Sequence, residues 1–246
     1  MANLIRMGRK SHIVKALILK RAKRVVRFFF SESTLRLIRV CFEVTNPYGR
    51  LYVKLRVLKA LGLNHDRADN IPEVVQSVLF VCHGNIIRSP FAAESLKALF
   101  KSSGQKNVAV ISAGLSARCG RRADSRALAV SKEFGVSLDE HVAQPLTEQL
   151  VADSDVIFVM DYFNKARLLT RYPDACHKAF LLGAYLPRHA EIEDPYHGHM
   201  SDVRKCYQVV NVCLQSFLDS LERSRTRIES NTDNINVPSA MLQEKV

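Results

Sequence analysis

Between Ile71 and Leu186 the chain alternates short apolar runs with amphipathic stretches. "SVLFVC" (77–82), "NVAVISAG" (107–114), the end of "LTEQLVADSDVIFVMD" (146–161) and "AFLLGAYL" (179–186) are short and largely uncharged. Runs of this kind, β-branched and aromatic, suit strands buried on both faces of a parallel sheet. "PFAAESLKALFKSSG" from Pro90 reads as a helix, with proline in its first turn and Gly104 beyond its end. "DSRALAVSKEFGV" from Asp124 reads as another. Strands alternating with helices imply right-handed crossovers, so the predicted fold class is α/β: a four-stranded parallel sheet with helices on both faces.

The first 70 residues have a different texture. In "MANLIRMGRKSHIVKALILKRAKRVVRFFFSES" Ile13, Val14, Leu17, Ile18, Val25, Phe28 and Phe29 can share one broad side of a helix. Lys20, Lys23, Arg24 and Arg27 lie opposite, although Lys15 and Arg21 break the pattern. "GRLYVKLRVLKALGL" from Gly49 repeats the mixture after the turn formers Asn46, Pro47 and Gly49. The last stretch, "RTRIESNTDNINVPSAMLQEKV", is polar without sustained periodicity. The expected organisation is a basic helical extension over 1–70, a domain over 71–223 and a flexible tail over 224–246.

Charge sharpens that boundary. The 246 residues carry a net charge of +12. Residues 1–70 hold 16 Lys and Arg against four acidic residues, while residues 71–246 hold 20 against 20. All the excess positive charge is therefore in the extension, and three readings of it stand side by side. Residues 1–60 can lie on an anionic membrane, with phenylalanines as wedges and cations as anchors. They can be a targeting peptide, for which the basic character runs long. Or they can pack on the domain with a solvated charged face. Nucleic acid is disfavoured as a partner, since no recognition motif accompanies the charge. Charges interrupt every candidate membrane span. Six cysteines at 41, 82, 119, 176, 206 and 213 form no Cys-x-x-Cys pair, which suits a reducing compartment. A cytoplasmic protein, peripheral at the inner face of the membrane on the first reading, is the expectation.

The candidate chemistry lies in "VLFVCHGNIIRSPFAAE" (78–94). Cys82 can be a small hydrophobe ending a strand. It can also be a nucleophile, because the loop after it feeds a helix N-terminus whose unpaired amides and dipole favour both an anion and a thiolate. Five residues separate it from Arg88, enough for the chain to curl round a tetrahedral dianion and return a guanidinium to grip two oxygens.

The loop Cys82, Gly84-Asn85, Arg88, Ser89 and Pro90, behind an apolar strand, resembles the signature of the low-molecular-weight protein tyrosine phosphatases. "SAG" (112–114), "DSRA" (124–127), "VIFVMDYFN" (156–164) and "EDPYHG" (193–198) extend the resemblance over about 74–222. It implies a phosphatase acting through a phosphocysteine, with no metal or cofactor. Cys82 is then the nucleophile, Arg88 the dianion-binding residue and Asp194 the general acid and later base. His83, Gly84, Asn85, Ile86, Ile87 and Ser89 form the substrate loop. Ser89 is expected to donate to the thiolate, and Asn85 to adopt a left-handed backbone while its side chain ties the loop to His141. Asp161 is expected to orient Arg88, and Tyr196 to flank the substrate ring. His141 as a loop cap and Asp161 as a helix cap remain as simpler alternatives.

The resemblance also has departures. Many relatives place a second cysteine where this chain has Ile87, so a protective disulfide inside the loop is not expected. The cysteines that arsenate reductases of this fold require are not reproduced. Phosphoarginine-directed relatives have threonine at the place of Ile86, and the apolar residue fits the tyrosine-directed pattern. Arg118, Arg121 and Arg122 can attract an acidic phosphopeptide or simply form a solvated loop. The implied partner is a phosphotyrosine protein, such as a bacterial tyrosine kinase of polysaccharide export. A phosphatase of sugars or other small metabolites, and a membrane-associated phosphoprotein-binding module with a silent site, are the alternatives.

Overall fold

The computed structural model describes residues 46–63, 66, 68–105, 107–186 and 191–235, with side chains through Arg227. The basic stretch at 13–29 lies outside the described residues. The chain divides into two units, Met1–Arg50 and Leu51–Val246. Of the first, the described part is 46–50. There the Asn46 carbonyl accepts hydrogen bonds from the amides of Gly49 and Arg50, as helix α1 (Pro47–Ala60) begins with proline in its first turn.

The second unit is built on a parallel sheet of β1 (Ser77–Cys82), β2 (Ala109–Gly114), β3 (Val156–Val159) and β4 (Ala179–Leu181), in the order β2-β1-β3-β4. The fourth strand is shorter than its apolar run: at Leu182 the chain turns into a short 3-10 segment. Because β1 connects outward to β2 on one side and pairs with β3 on the other, the sheet changes winding direction at β1. Ligands of such sheets bind in the crevice this opens at the carboxyl ends of the strands. Cys82 is the last residue of β1, in register with Gly114 of β2.

Both faces are covered, as uncharged strands require. Along β1, Val78, Phe80 and Cys82 enter one core and Leu79 and Val81 the other. The first core is closed by α2 (Arg88–Ser102), α3 (Ser125–Glu133) and α6 (Met200–Ile235). The second is closed by α4 (Glu148–Ala152) and α5 (Tyr162–Arg171). Phe80 stacks on Phe158 at 5.6 Å, and Phe158 meets Phe217 of α6 edge-on at 5.1 Å. Truncating either strand phenylalanine would cost about 3–5 kcal/mol.

Two features differ from the sequence reading. Helix α6 buries Val203, Tyr207, Val210, Leu214, Phe217 and Leu221 at helical spacing, but it continues to Ile235, into the segment expected to be a tail. Propagating an established helix needs one hydrogen bond per residue and no new nucleus, so polar residues can extend what the buried face began. At the other end, residues before 71 are joined to the unit through its interior. Asp66 pairs with Lys165 of α5, both side chains buried, and the same carboxylate oxygen accepts the Leu181 amide at 2.9 Å. No helix among the described residues is long and apolar enough to cross a membrane.

Candidate active site

The strand delivers Cys82 to the floor of a cleft of about 650 Å³, lined among others by His83, Gly84, Ile86, Ile87, Arg88, Asp194 and Tyr196. Helix α2 starts at Arg88 without a side-chain cap from Ile87. Its first-turn amides are thus of the kind that serve an anion.

Two donors converge on the sulfur. The Asn85 amide reaches Cys82 Sγ at 3.2 Å and Ser89 Oγ lies 3.0 Å from it. Asn85 Nδ2 donates to Ser89 Oγ at 2.9 Å, so the hydroxyl proton is free for an acceptor, and of the two in reach the sulfur is nearer than the Ala113 carbonyl at 3.4 Å. Both bonds strengthen if the sulfur is anionic.

Asn85 has the one positive φ among described non-glycine residues, 53°, a conformation asparagine tolerates well. Its side chain does not reach His141, as the resemblance implied. It is held by Ser89, by Ser112 Oγ (2.9 Å) and by the Gln144 amide (3.0 Å). His141 instead donates from Nε2 to the Asn85 backbone carbonyl at 2.8 Å. Both Nδ2 protons are spent on Ser89 and Ser112, so the side chain has no donor left for His141. Burial holds the His141 pKa below its ordinary value, against the pull of the Asn85 carbonyl. Gly114 explains the "SAG" triplet: a Cβ there would sit 2.9 Å from the Asn85 amide nitrogen and 2.8 Å from Ala117 Cβ. The loop backbone passes too close for a side chain.

Arg88 is buried, and both of its terminal guanidinium nitrogens are engaged. Nη1 donates to Asp161 Oδ2 (2.7 Å) and to the Ile192 carbonyl (3.1 Å), and Nη2 to Asp194 Oδ2 (2.6 Å). Burial opposes its charge, but Cys82, Asp194 and Asp161 outweigh that and raise its pKa. Asp161 bonds to Arg88 through Oδ2 and also caps α5, its Oδ1 accepting the Asn164 amide at 2.6 Å. Asp194 precedes a short 3-10 turn and is partly open to the cleft. Tyr196, next to it, is exposed at the mouth, edge-on to His197 at 5.0 Å.

Four supporting residues are given no role by the sequence reading. Tyr207 of α6 donates to the Ile87 carbonyl at 3.2 Å, bracing the loop from beneath. Arg126 donates to the carbonyls of Tyr196 and Gly198. Its partner Asp124, whose carboxyl that contact holds below the ordinary range, donates its own amide to the Ile86 carbonyl at 3.0 Å. Arg126 and Asp124 thereby couple the acid loop to the cysteine loop. At the mouth, Arg167 of α5 donates to His83 Nδ1 (2.8 Å) and to Ser116 Oγ (2.9 Å). The contacts of Tyr207 with Ile87, of Arg126 with Tyr196 and Gly198, and of Arg167 with His83 each span 70 or more positions, beyond the reach of any local pattern.

Among the described residues no group of three or more His, Cys, Asp or Glu could hold a metal ion. What the cleft offers is a thiol with donors aimed at it, a charged guanidinium beside it and a carboxyl at its edge.

A thiol so placed, at the switch point of a parallel α/β sheet, belongs to phosphatases that work through cysteine. The family profile "Low molecular weight phosphotyrosine protein phosphatase" matches residues 77–227. The chain belongs to that family, and it is a protein-tyrosine phosphatase of the low-molecular-weight type. The human low molecular weight phosphotyrosine protein phosphatase is 37% identical over 154 residues, covering 60% of this chain and 96% of that protein. The crystal structure of Erwinia amylovora tyrosine phosphatase AmsI is similar with a TM-score of 0.56 at 36% identity, covering 60% of this chain and 93% of that one. The protein-arginine-phosphatase of Bacillus subtilis is 30% identical over 152 residues, covering 60% and 98%. The fold class and the family expected from the sequence are those found.

Proposed function

We propose that the enzyme hydrolyses phosphotyrosine in proteins in two steps, through a phosphocysteine at Cys82. The observation that supports this most directly is the meeting of Cys82, Arg88 and Asp194 in one cleft, with Ser89 bonded to the sulfur from beneath. In the first step Sγ attacks phosphorus and the bond to the ester oxygen breaks. The leaving oxygen takes the electron pair and a proton from the Asp194 carboxyl. The incoming dianion competes for Arg88 Nη2, now bonded to Asp194, so substrate binding would free that carboxyl for its task. In the second step Asp194 takes a proton from water as the oxygen attacks phosphorus. The phosphorus–sulfur bond breaks and its electron pair returns to sulfur. Loop amides and Arg88 stabilise the charge on the transferring group throughout.

Turnover of p-nitrophenyl phosphate with vanadate inhibition tests the reaction, and Cys82→Ser is expected to abolish it. Phosphotyrosine peptides set against sugar phosphates and phosphoarginine test the substrate. Ile86 lines the cleft as an apolar side chain, which fits an aryl ester. Good turnover of a metabolite beside poor peptide turnover would overturn the substrate assignment. Inactive protein that still binds phosphopeptide would reduce the chain to a binding module.

A bacterial tyrosine kinase of polysaccharide export as partner rests on the family resemblance and is tested by trapping with Cys82→Ser. Peripheral membrane binding rests on the charge of residues 1–60. In that reading the full chain binds anionic liposomes and a variant with Lys20, Lys23, Arg24 and Arg27 changed to glutamine does not; equal binding by both would end it.

A further inference from the structure

The family profile begins at residue 77, yet helix α1, which precedes it, touches the part of the molecule that carries Asp194. Arg56 of α1 forms an ion pair and hydrogen bond with Glu191. The other oxygen of that carboxylate, Oε2, accepts the amide of Tyr162, the first residue of α5, at 3.0 Å. The next residue, Ile192, donates its amide to the Met160 carbonyl at 2.8 Å and receives Arg88 Nη1 on its own carbonyl at 3.1 Å. Asp194 follows two positions later. Residues 191 and 192 are therefore the root of the acid loop, tied at once to the α5 N-terminus, to the catalytic arginine and to the preceding helix.

The helix itself is held against α5 by several contacts. Tyr52 meets Phe163 edge-on at 6.3 Å and Lys59 lies over the Tyr162 ring at 5.3 Å. The guanidinium of Arg56 lies 5.9 Å over the Tyr52 ring, which limits its freedom to swing away from Glu191. Farther along, Asp66 is locked to Lys165 of the same helix. The contacts of Tyr52, Lys59 and Asp66 all fall on the first turn of α5, whose N-cap residue Asp161 bonds to Arg88.

We propose that Arg56 is a positioning residue for the general acid. By pairing with Glu191 it fixes the root of the acid loop, and so sets where the Asp194 carboxyl stands relative to the leaving oxygen. The pair is 47% and 23% exposed, and exposed ion pairs contribute little to stability. Its effect is on geometry, where a displacement of about 1 Å far from the reacting atoms can cost up to about a hundredfold in rate. Glu191 released from Arg56 would keep one bond to α5, and the loop it begins would sample positions from which Asp194 protonates poorly.

The inference rests on Asp194 being the acid, and the test separates the two. Full-length protein, Arg56→Ala, Arg56→Lys, Glu191→Gln and Asp194→Ala are compared by kcat/KM over aryl phosphates of increasing leaving-group pKa, alongside the inhibition constant of inorganic phosphate. Arg56→Ala and Glu191→Gln are expected to lose about fivefold or more on the poorest leaving group relative to the best, steepening the dependence in the direction of Asp194→Ala. Arg56→Lys is expected to restore the wild-type dependence, and phosphate inhibition to change less than the poor-substrate rate. A wild-type dependence in Arg56→Ala and Glu191→Gln, or an equal loss on all esters, would overturn the proposal even where Asp194→Ala steepens it. A flat dependence in Asp194→Ala would instead overturn the acid assignment.

Discussion

Lys165 and Asp66 face one another inside the protein, their side chains 3% and 1% exposed, although Asp66 lies before the span that defines the family. Burial lowers the Lys165 pKa and Asp66 pulls it back up. Breaking such a pair on one side leaves a buried charge without a partner, which typically costs about 3–5 kcal/mol. Asp66→Ala is expected to lower the urea midpoint accordingly, and a chain begun at Ser77 to lose at least as much. Adding Lys165→Met to Asp66→Ala should recover most of the loss. A wild-type midpoint for Asp66→Ala would show that the pair does not hold the segment around Asp66 in place.

The Ser89 hydroxyl, 3.0 Å from Cys82 Sγ, supplies a bond that is strongest to an anionic sulfur. Hydrogen bonds to charged groups contribute about 1.5–3 kcal/mol, so Ser89→Ala is expected to lower kcat/KM for p-nitrophenyl phosphate by roughly tenfold to a hundredfold. Asn85→Ala should do more harm, because it removes the orienting donor and puts alanine at a φ of 53°. Alkylation of Cys82 by iodoacetate at neutral pH should slow in both variants.

His83 is kept neutral by its surroundings: burial lowers its pKa first and Arg167 second, with Asp194 pulling the other way. A base with a folded pKa below its unfolded value binds fewer protons when folded. Its contribution leaves stability unchanged above the unfolded pKa of about 6.5 and lowers it as pH falls through the window beneath. Arg167→Gln is expected to raise the His83 midpoint followed by imidazole NMR. An unchanged midpoint would take Arg167 out of the balance and leave burial, with Arg88, as the cause.

Oxidation should be hard to reverse. Ile87 stands where a loop thiol would protect the nucleophile, and burial pushes Cys206 and Cys213 up to about 12, far from the thiolate form that attacks an oxidised sulfur. Peroxide followed by dithiothreitol is expected to recover little activity, with sulfinic and sulfonic acid at Cys82 by mass spectrometry. Ile87→Cys should make the loss largely recoverable. Full recovery of the native chain would point to another thiol reaching Cys82.

The sheet, its helices and the cysteine loop could be read from the sequence because each is local. β1 is an unbroken apolar run, and the spacing from Cys82 to Arg88 is set by one turn of chain. The ties that position the site were hidden for the opposite reason. Lys165 reads as an ordinary cation on a helix until Asp66 appears opposite it, and Arg126, Arg167 and Glu191 look like solvated surface charges. Asn85 shows the limit of analogy: the left-handed backbone was foreseeable from residue type, whereas the partners of its amide depended on where Ser112 and Gln144 fell. The polar end of α6 carried no periodicity, so only the buried face before it could have announced the helix.

Strand β1 lies inside the sheet, hydrogen-bonded on both edges. Elements so enclosed release their amides to exchange only in near-global openings. Cys82, the proposed nucleophile, is thus mounted on the least yielding part of the molecule, while Asp194, the proposed acid, rides on a loop. In rising denaturant, phosphate release should fade before the peptide groups of 78–81 exchange, the enzyme losing its proton donor while its sulfur is still in place.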